Sequence, residues 1–83
     1  MKQLLYFSAQ WCGPCRQLGP IMSEVGTKLP VRKIDVDQEP EMAQKYGVKS
    51  IPIVIMVDGR GTPLAKKMGF NPKQAYLDMY NQN

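Results

Sequence analysis

The chain is 83 residues long, carries 11 Lys and Arg against 7 Asp and Glu, and contains no histidine. At this length it forms one small domain over residues 1–83, and its 22% charged and 43% hydrophobic residues are ordinary for a globular protein. The net charge of +4 comes from scattered basic residues, which disfavours a nucleic-acid site, and no apolar run approaches the roughly 20 residues of a membrane span.

The N-terminal stretch differs from a secretory signal peptide. Its apolar run over residues 4–7 is shorter than the usual apolar core of about 7–15 residues, and no small-residue cleavage site follows. We therefore expect a cytoplasmic, reducing location, where a pair of cysteines is kept for reactivity or metal binding. Cys12 and Cys15 are also too close in sequence for a disulfide between them to remove much unfolded-chain entropy.

The first half of the chain predicts a strand, a helix and a second strand. Residues 3–8 form a short apolar run without alternation, typical of a strand buried on both faces of a sheet. Apolar residues recur at three- or four-residue spacing over about 12–28, which indicates a helix with Pro14 in its first turn and a kink at Pro20. Residues 31–36 predict a second strand, parallel to the first.

The second half predicts a short helix, a hairpin and a final helix. The elements are a helix over 37–46, a strand over 51–57, an edge strand over 63–68 and a helix over 71–80. Gly47 is a natural stop for the short helix, and the Asp-Gly pair at 58–59 predicts the hairpin turn. Asn71 is predicted to cap the last helix. The order is therefore β-α-β-α-β-β-α, an α/β fold with a sheet and packed helices.

Both cysteines lie in the sequence Trp-Cys-Gly-Pro-Cys at residues 11–15, directly after the first strand. A Cys-x-x-Cys beside a strand–helix–strand unit is typical of a redox-active dithiol. Cys12 would lie at the N-terminus of the helix, where free backbone N–H groups lower the pKa of its thiol and favour the thiolate. We therefore predict that Cys12 is a solvent-facing nucleophile and that Cys15, one turn further, resolves the mixed disulfide.

The whole chain resembles the thioredoxin family. The matching segments are the pentapeptide at 11–15, the kinking Pro20, Tyr46-Gly47-Val48, Ile51-Pro52 and Gly69. The resemblance implies a thioredoxin-like fold, with a four-stranded mixed sheet of order 2-1-3-4 flanked by three helices and without the family's first strand and helix. It also implies reduction of protein disulfides by dithiol exchange, with no bound cofactor beyond the disulfide of Cys12 and Cys15.

The resemblance further implies a substrate-binding surface around the cysteines. Its residues are Trp11, Gly13, Pro14, Ile51, Pro52 and Gly69. A cis peptide bond before Pro52 is expected, so that the backbone of Ile51 is presented to an extended substrate strand. A small, flat apolar rim suits many exposed protein disulfides better than one small molecule.

The chain departs from the family beneath the cysteines, where the family has a buried aspartate. Here the residue is Tyr6, a poor base at neutral pH, and Lys33 matches the lysine that usually pairs with that aspartate. We therefore expect Lys33 to lack its usual partner. We also expect Cys15 to lose its proton to water, to the departing thiolate or to a distant carboxylate, with slower resolution than in longer relatives.

The partners implied by the resemblance are protein disulfides and a flavin-dependent thioredoxin reductase, with the chain itself a monomer that contacts neither nucleic acid nor membrane. The short length leaves a glutaredoxin-like reductase recycled by glutathione as an alternative. Metal or cluster binding is a second alternative function, although structural zinc needs four ligands and this chain offers two cysteines and no histidine. A non-catalytic binding subunit of a larger enzyme is a third.

Overall fold

The computed structural model describes residues 1–82. Its elements are β1 (Gln3–Ser8), α1 (Gly13–Gly26), β2 (Val31–Asp35), α2 (Pro40–Lys45), β3 (Ile53–Val57), β4 (Pro63–Met68) and α3 (Lys73–Gln82). The predicted order of elements is confirmed, and so is the predicted sheet, whose strands lie in the order β2-β1-β3-β4. No helix in this part of the chain combines the length and apolar character that crossing a bilayer requires.

The sheet is mixed because β1 pairs differently on its two sides. It runs parallel to β2, with Tyr6 opposite Lys33 and Ser8 opposite Asp35. On its other side it is antiparallel to β3, which is in turn antiparallel to the edge strand β4. The two central strands are buried almost throughout, which explains why their sequences are continuous apolar runs rather than alternating ones.

Alternate side chains of the strands build one hydrophobic core on each face of the sheet. The face covered by α1 and α3 contains Leu4, Tyr6, Leu18, Met22, Val25, Val54, Met56, Tyr76 and Met79. The face towards α2 contains Leu5, Phe7, Ile34, Ile53, Ile55 and Val57. A third, small cluster of Ala9, Cys12 and Cys15 joins the end of β1 to the start of α1, and this cluster holds the cysteine pair.

Helix α1 carries the second cysteine on its buried side. Its buried side chains recur every three or four residues, at Cys15, Leu18, Met22 and Val25. Pro14 lies in the first turn, where no backbone N–H is needed, and Pro20 lies inside the helix. Cys15 therefore faces the sheet because it belongs to the same stripe as the core residues of the helix.

The connections at the C-terminal ends of α2 and β4 depend on backbone geometry. Gly47 ends α2 with a positive φ of 65°, as its position in the sequence predicts. The prediction that Asn71 caps α3 is wrong, because the helix begins at Lys73. The Asn71 side-chain amide instead donates a hydrogen bond back to the Met68 carbonyl at 3.1 Å, which folds the loop after β4 onto the strand end.

The start of β1 and the end of α3 are joined by a pair of side chains, which we call the terminal clasp: Lys2 and Tyr80. The Lys2 ammonium donates to the Tyr80 carbonyl and lies 4.6 Å from the centroid of the Tyr80 ring. The Tyr80 hydroxyl donates to the Lys2 carbonyl at 3.0 Å. The clasp thus connects positions 78 residues apart in sequence.

Candidate active site

Cys12 and Cys15 are joined by a disulfide at the N-terminus of α1, beyond the carboxyl end of β1. Cys12 caps the helix: its backbone is extended, with φ −89° and ψ 112°, and its Sγ accepts a hydrogen bond from the Cys15 N–H at 3.2 Å. The Cys15 backbone N–H of the first turn thus faces this sulfur. Because such groups and the helix dipole stabilise negative charge, the geometry favours a thiolate on Cys12 after reduction.

Both cysteines are buried, with 5% of Cys12 and 4% of Cys15 exposed. The prediction that Cys12 faces solvent is therefore wrong for the disulfide-bonded chain. Its side chain packs with Ala9 and Cys15, and the partly buried Val36 and Ile51 extend this cluster. We call this buried position of the Cys12 sulfur, next to the exposed Trp11 and Gly13, the recess.

The exposed side of the recess is formed by the residues around Cys12 in sequence. Trp11 is 66% exposed, and Gly13 and Pro14 are also exposed. The indole is nevertheless held in place, because its Nε1–H donates to the Asp37 carboxylate at 2.8 Å. Asp37 was not predicted as a site residue. Its position two residues after the end of β2 is the signal that could have found it, since parallel strands end at the same edge of a sheet.

The opposite side of the recess comes from two distant loops. The carbonyl oxygen of Ile51 lies 3.9 Å from the Sγ of Cys12, and the Ile51–Pro52 peptide bond is cis. Gly69 has a positive φ of 75°, and its N–H donates to the Pro52 carbonyl at 2.9 Å. The structure therefore places these three residues at the same edge as Cys12. Pro52 itself is buried, unlike the exposed Trp11, Gly13 and Pro14.

Two large apolar side chains beside Gly69 were missed by the sequence analysis. Met68 is 59% exposed and Phe70 is 53% exposed. Met68 is the last residue of the edge strand β4 and Phe70 lies in the loop that follows, and large apolar residues on either side of a glycine at such a strand end are the signal that could have found them. They add exposed apolar surface on either side of Gly69 in the sequence.

Tyr6 lies beneath the second cysteine. Its hydroxyl donates to the Cys15 carbonyl at 2.9 Å, and only 2% of the residue is exposed. Burial raises the pKa of this phenol, and a hydrogen bond with Ser8 offsets only part of that rise. Tyr6 is therefore neutral at physiological pH, and its proton is directed at a carbonyl rather than at sulfur. Lys33, opposite Tyr6 in β2, forms neither of the two ion pairs found among residues 1–82.

A cleft of about 440 Å³ opens beside Cys15, between α1 and the ends of β1 and β2. Among the residues that line it are Tyr6, Ser8, Cys15, Arg16, Lys33 and Asp35. The Arg16 guanidinium is fixed at one side by two hydrogen bonds to the Gln10 carbonyl, at 3.0 and 3.2 Å. The buried sulfur of Cys15 thus borders a space with polar and charged walls.

The chemistry that this site provides is the opening and closing of its disulfide. Reduction gives two thiols, one of which has its anion stabilised by a helix N-terminus. Within residues 1–82 no group of three or more His, Cys, Asp or Glu side chains is placed to hold a metal ion. Fold and site together define a thiol–disulfide oxidoreductase of the α/β class.

Comparisons with known proteins give the family. The thioredoxin family model matches residues 1–82. The thioredoxin of Bacillus subtilis (strain 168) is 41% identical over 81 residues, covering 93% of this chain and 77% of that protein. A thioredoxin of Staphylococcus aureus (strain Mu50 / ATCC 700699) is 38% identical over 85 residues, covering 98% of this chain and 81% of that protein. The chain belongs to the thioredoxin family.

Solved structures agree with this assignment. A variant thioredoxin from Halobacterium salinarum NRC-1 superimposes with a TM-score of 0.87 at 30% identity, over 98% of this chain and 73% of that one. The reduced thioredoxin of Schistosoma mansoni gives a TM-score of 0.87 at 29% identity, over 98% of this chain and 77% of that one. As a family member the chain is a protein-disulfide reductase whose redox group is the disulfide of Cys12 and Cys15, and the family acts together with thioredoxin reductase.

Proposed function

We propose that Cys12 is the attacking thiol and Cys15 the resolving thiol. The Cys12 thiolate attacks a substrate disulfide, forms a mixed disulfide and releases one substrate thiolate. Cys15 then attacks the Cys12 sulfur, which releases the second substrate thiolate and restores the disulfide. The observation that carries this assignment is the hydrogen bond from the Cys15 N–H to the Cys12 Sγ, because it stabilises charge on one sulfur only.

We further propose that substrates dock on the rim around the recess. Trp11, Gly13 and Pro14 supply one side, and the backbone of Ile51 and Gly69 supplies the other, with Pro52 beneath. The 3.9 Å approach of the Ile51 carbonyl to the Cys12 sulfur supports this role, since an extended substrate that pairs with that backbone carries its own sulfur to Cys12.

The recycling partner that we propose is a flavin-dependent thioredoxin reductase, with this chain a cytoplasmic monomer. Membership of the thioredoxin family supports this choice over recycling by glutathione. The net charge of +4 would assist encounter with acidic partner surfaces, because long-range attraction raises association rates.

Reduction of insulin disulfides tests the assignment of the two thiols. Wild-type protein should reduce insulin when supplied with a thioredoxin reductase and NADPH, and more slowly with glutathione. Cys12→Ser should abolish the reaction, whereas Cys15→Ser should retain the first attack and accumulate a covalent mixed disulfide that mass spectrometry detects.

Three outcomes would contradict this proposal. Equal reduction by Cys12→Ser would show that the cysteines are dispensable. Accumulation of the mixed disulfide in Cys12→Ser rather than in Cys15→Ser would reverse the two roles. Faster turnover with glutathione than with the reductase would favour the glutaredoxin-like alternative.

A further inference from the structure

The resolving step needs an acceptor for the proton of Cys15, and Tyr6 cannot be that acceptor. The Tyr6 hydroxyl is a donor in its hydrogen bond to the Cys15 carbonyl, at 2.9 Å. Burial raises the pKa of Tyr6, so the phenol holds its own proton at neutral pH. The proton must therefore leave through another route from a thiol that is only 4% exposed.

The cleft beside Cys15 offers such a route. Its volume of about 440 Å³ exceeds the share of one liquid water, about 30 Å³, many times over. Its walls include hydroxyl and charged groups as well as the Cys15 side chain. Because a water molecule needs two to four polar partners to be held in place, a cleft of this size and polarity can carry water between Cys15 and the opposite wall.

The opposite wall presents one carboxylate. Asp35 lies opposite Ser8 in the parallel pairing of β1 and β2, and Lys33 lies opposite Tyr6. Residues two apart on a strand share a face, so Asp35 and Lys33 both project towards α1. The other charged groups that line the cleft are the cations Lys33 and Arg16, which have no acceptor lone pair. Asp35 is thus the acceptor that the cleft supplies.

Asp35 is also held in position. Its Oδ1 accepts a hydrogen bond from the Asp37 N–H at 2.8 Å, which fixes the carboxylate at the end of β2. The neighbouring carboxylate of Asp37 is engaged with the Trp11 indole and does not line this cleft. The two acidic residues therefore have different surroundings although they are two positions apart.

We propose that Asp35 accepts the proton of Cys15 through water in this cleft, in place of a buried acid beneath the cysteines. This inference rests on the proposed roles of the two thiols. The Cys15 S–H bond breaks as its proton passes through water to Asp35, and the resulting thiolate attacks the Cys12 sulfur. The intramolecular S–S bond forms, the mixed disulfide breaks, and the substrate leaves as a thiolate. The protonated Asp35 then returns its proton to solvent.

Single-turnover oxidation of the reduced protein by one equivalent of Ellman's reagent separates the two steps. Attack by Cys12 releases the first thionitrobenzoate, and resolution by Cys15 releases the second. Two phases in wild-type protein, with only the first in Cys15→Ser, would test the proposed roles independently of Asp35. Release of only one thionitrobenzoate by wild-type protein, or of two by Cys15→Ser, would overturn the proposed function rather than this inference alone.

Asp35→Asn is the decisive variant, because asparagine keeps an oxygen that can accept the Asp37 N–H. We expect its second phase to slow at least about tenfold near neutral pH, since positioned proton acceptors contribute roughly 10²–10⁴-fold when they act directly. The slowing should vanish at alkaline pH, where Cys15 ionises without help. Asp35→Glu, which keeps a carboxylate, should recover most of the rate. Asp78→Asn, on the exposed side of α3, should match wild type.

The sign of the effect distinguishes proton transfer from a simple charge effect. Removing a negative charge near Cys15 would by itself stabilise the thiolate and quicken the second phase. An Asp35→Asn variant as fast as wild type, or faster, would therefore overturn the inference. Slowing by the same factor at every pH, slowing of the first phase as well, or failure of Asp35→Glu to recover would indicate disturbed packing and would also overturn it.

Discussion

Tyr6 places a neutral hydroxyl beneath the disulfide, at a buried position where a charged side chain would need an ion-pair partner. Its hydrogen bond to the Cys15 carbonyl ties the centre of the sheet to the first turn of α1. A buried ion beneath the disulfide would cost several kcal/mol unless it were paired, whereas a phenol with one acceptor is satisfied. Tyr6 therefore contributes packing and one hydrogen bond to the site rather than a charge.

Tyr6→Phe should lower the free energy of unfolding by about 0.5–1.5 kcal/mol, the usual net contribution of one hydrogen bond. The ring and its packing remain, so the loss is confined to the hydroxyl. Urea denaturation of the oxidised protein measures it. Tyr6→Asp is the contrasting variant, and it should lose more, because it leaves a cavity and an acidic group in the core.

The two buried phenols also predict how stability responds to alkali. Burial raises the pKa of both Tyr6 and Tyr76. Because the pKa of each phenol is higher in the folded state than its unfolded value of about 10, each contributes to the free energy of unfolding in full below about pH 10. That contribution is lost as pH rises through the folded-state pKa. The free energy of unfolding should therefore fall at alkaline pH, and less steeply in Tyr6→Phe. Identical slopes for the two proteins would contradict this.

The redox pair of Cys12 and Cys15 could be predicted from the sequence, but several of its contacts could not. The pentapeptide at 11–15 fixes which residues react, because the chemistry lies in the residue types and their spacing. The burial of Cys12 depends on Ile51, 39 residues away, so no local pattern could indicate it. The different positions of Asp35 and Asp37 depend likewise on the register of β1 and β2.

At the scale of the elements, the turn after α2 relies on one glycine. Gly47 has a positive φ of 65°, and a Cβ added there would have no heavy atom within 4 Å. Gly19 has equally open surroundings but lies within helix α1. The two positions thus differ in backbone conformation and not in available space.

Substitution of these glycines by alanine should act in opposite directions. Gly47→Ala should destabilise by about 1–2 kcal/mol because an L-residue disfavours the left-handed conformation. Gly19→Ala should stabilise by about 0.5–1 kcal/mol because alanine loses less entropy in a helix. Thermal unfolding of the two variants measures both effects, and a shift of the same sign in both would refute the explanation.

Two strands were predicted to the residue, whereas β3 and α3 each begin two residues later than predicted. β1 and β4 begin and end where the apolar run and the hairpin pattern placed them, because both signals are local. Helix α3 begins at Lys73, later than predicted, and the Asn71 side-chain amide donates to the Met68 and Gly69 carbonyls, contacts that only the folded loop creates. The sequence alone contains Asn71 but does not show which carbonyls its amide contacts.

For the molecule as a whole, the sheet divides the apolar residues between two small cores. Helices shield each core from solvent on the side away from the sheet. The larger core lies under α1 and α3, so the contacts that hold α3 to the sheet contribute to its stability. The terminal clasp is one such contact, since it joins the end of α3 to Lys2, the residue before β1.

Tyr80→Phe should therefore lower the free energy of unfolding by about 0.5–1.5 kcal/mol through loss of the hydrogen bond to the Lys2 carbonyl. The ring and its contact with the Lys2 ammonium are retained, which isolates the hydroxyl. Hydrogen exchange should show faster opening in α3 and at the start of β1, with the first turn of α1 unchanged. Uniform acceleration across the sheet would contradict a local role.

The chain contains a single tryptophan, and it is the exposed, hydrogen-bonded Trp11 beside the cysteines. Selectively excited indole emission from this protein therefore originates at the rim of the redox pair and nowhere else. The molecule carries its own optical reporter, so that partner titrations and changes of oxidation state can be followed without an attached dye.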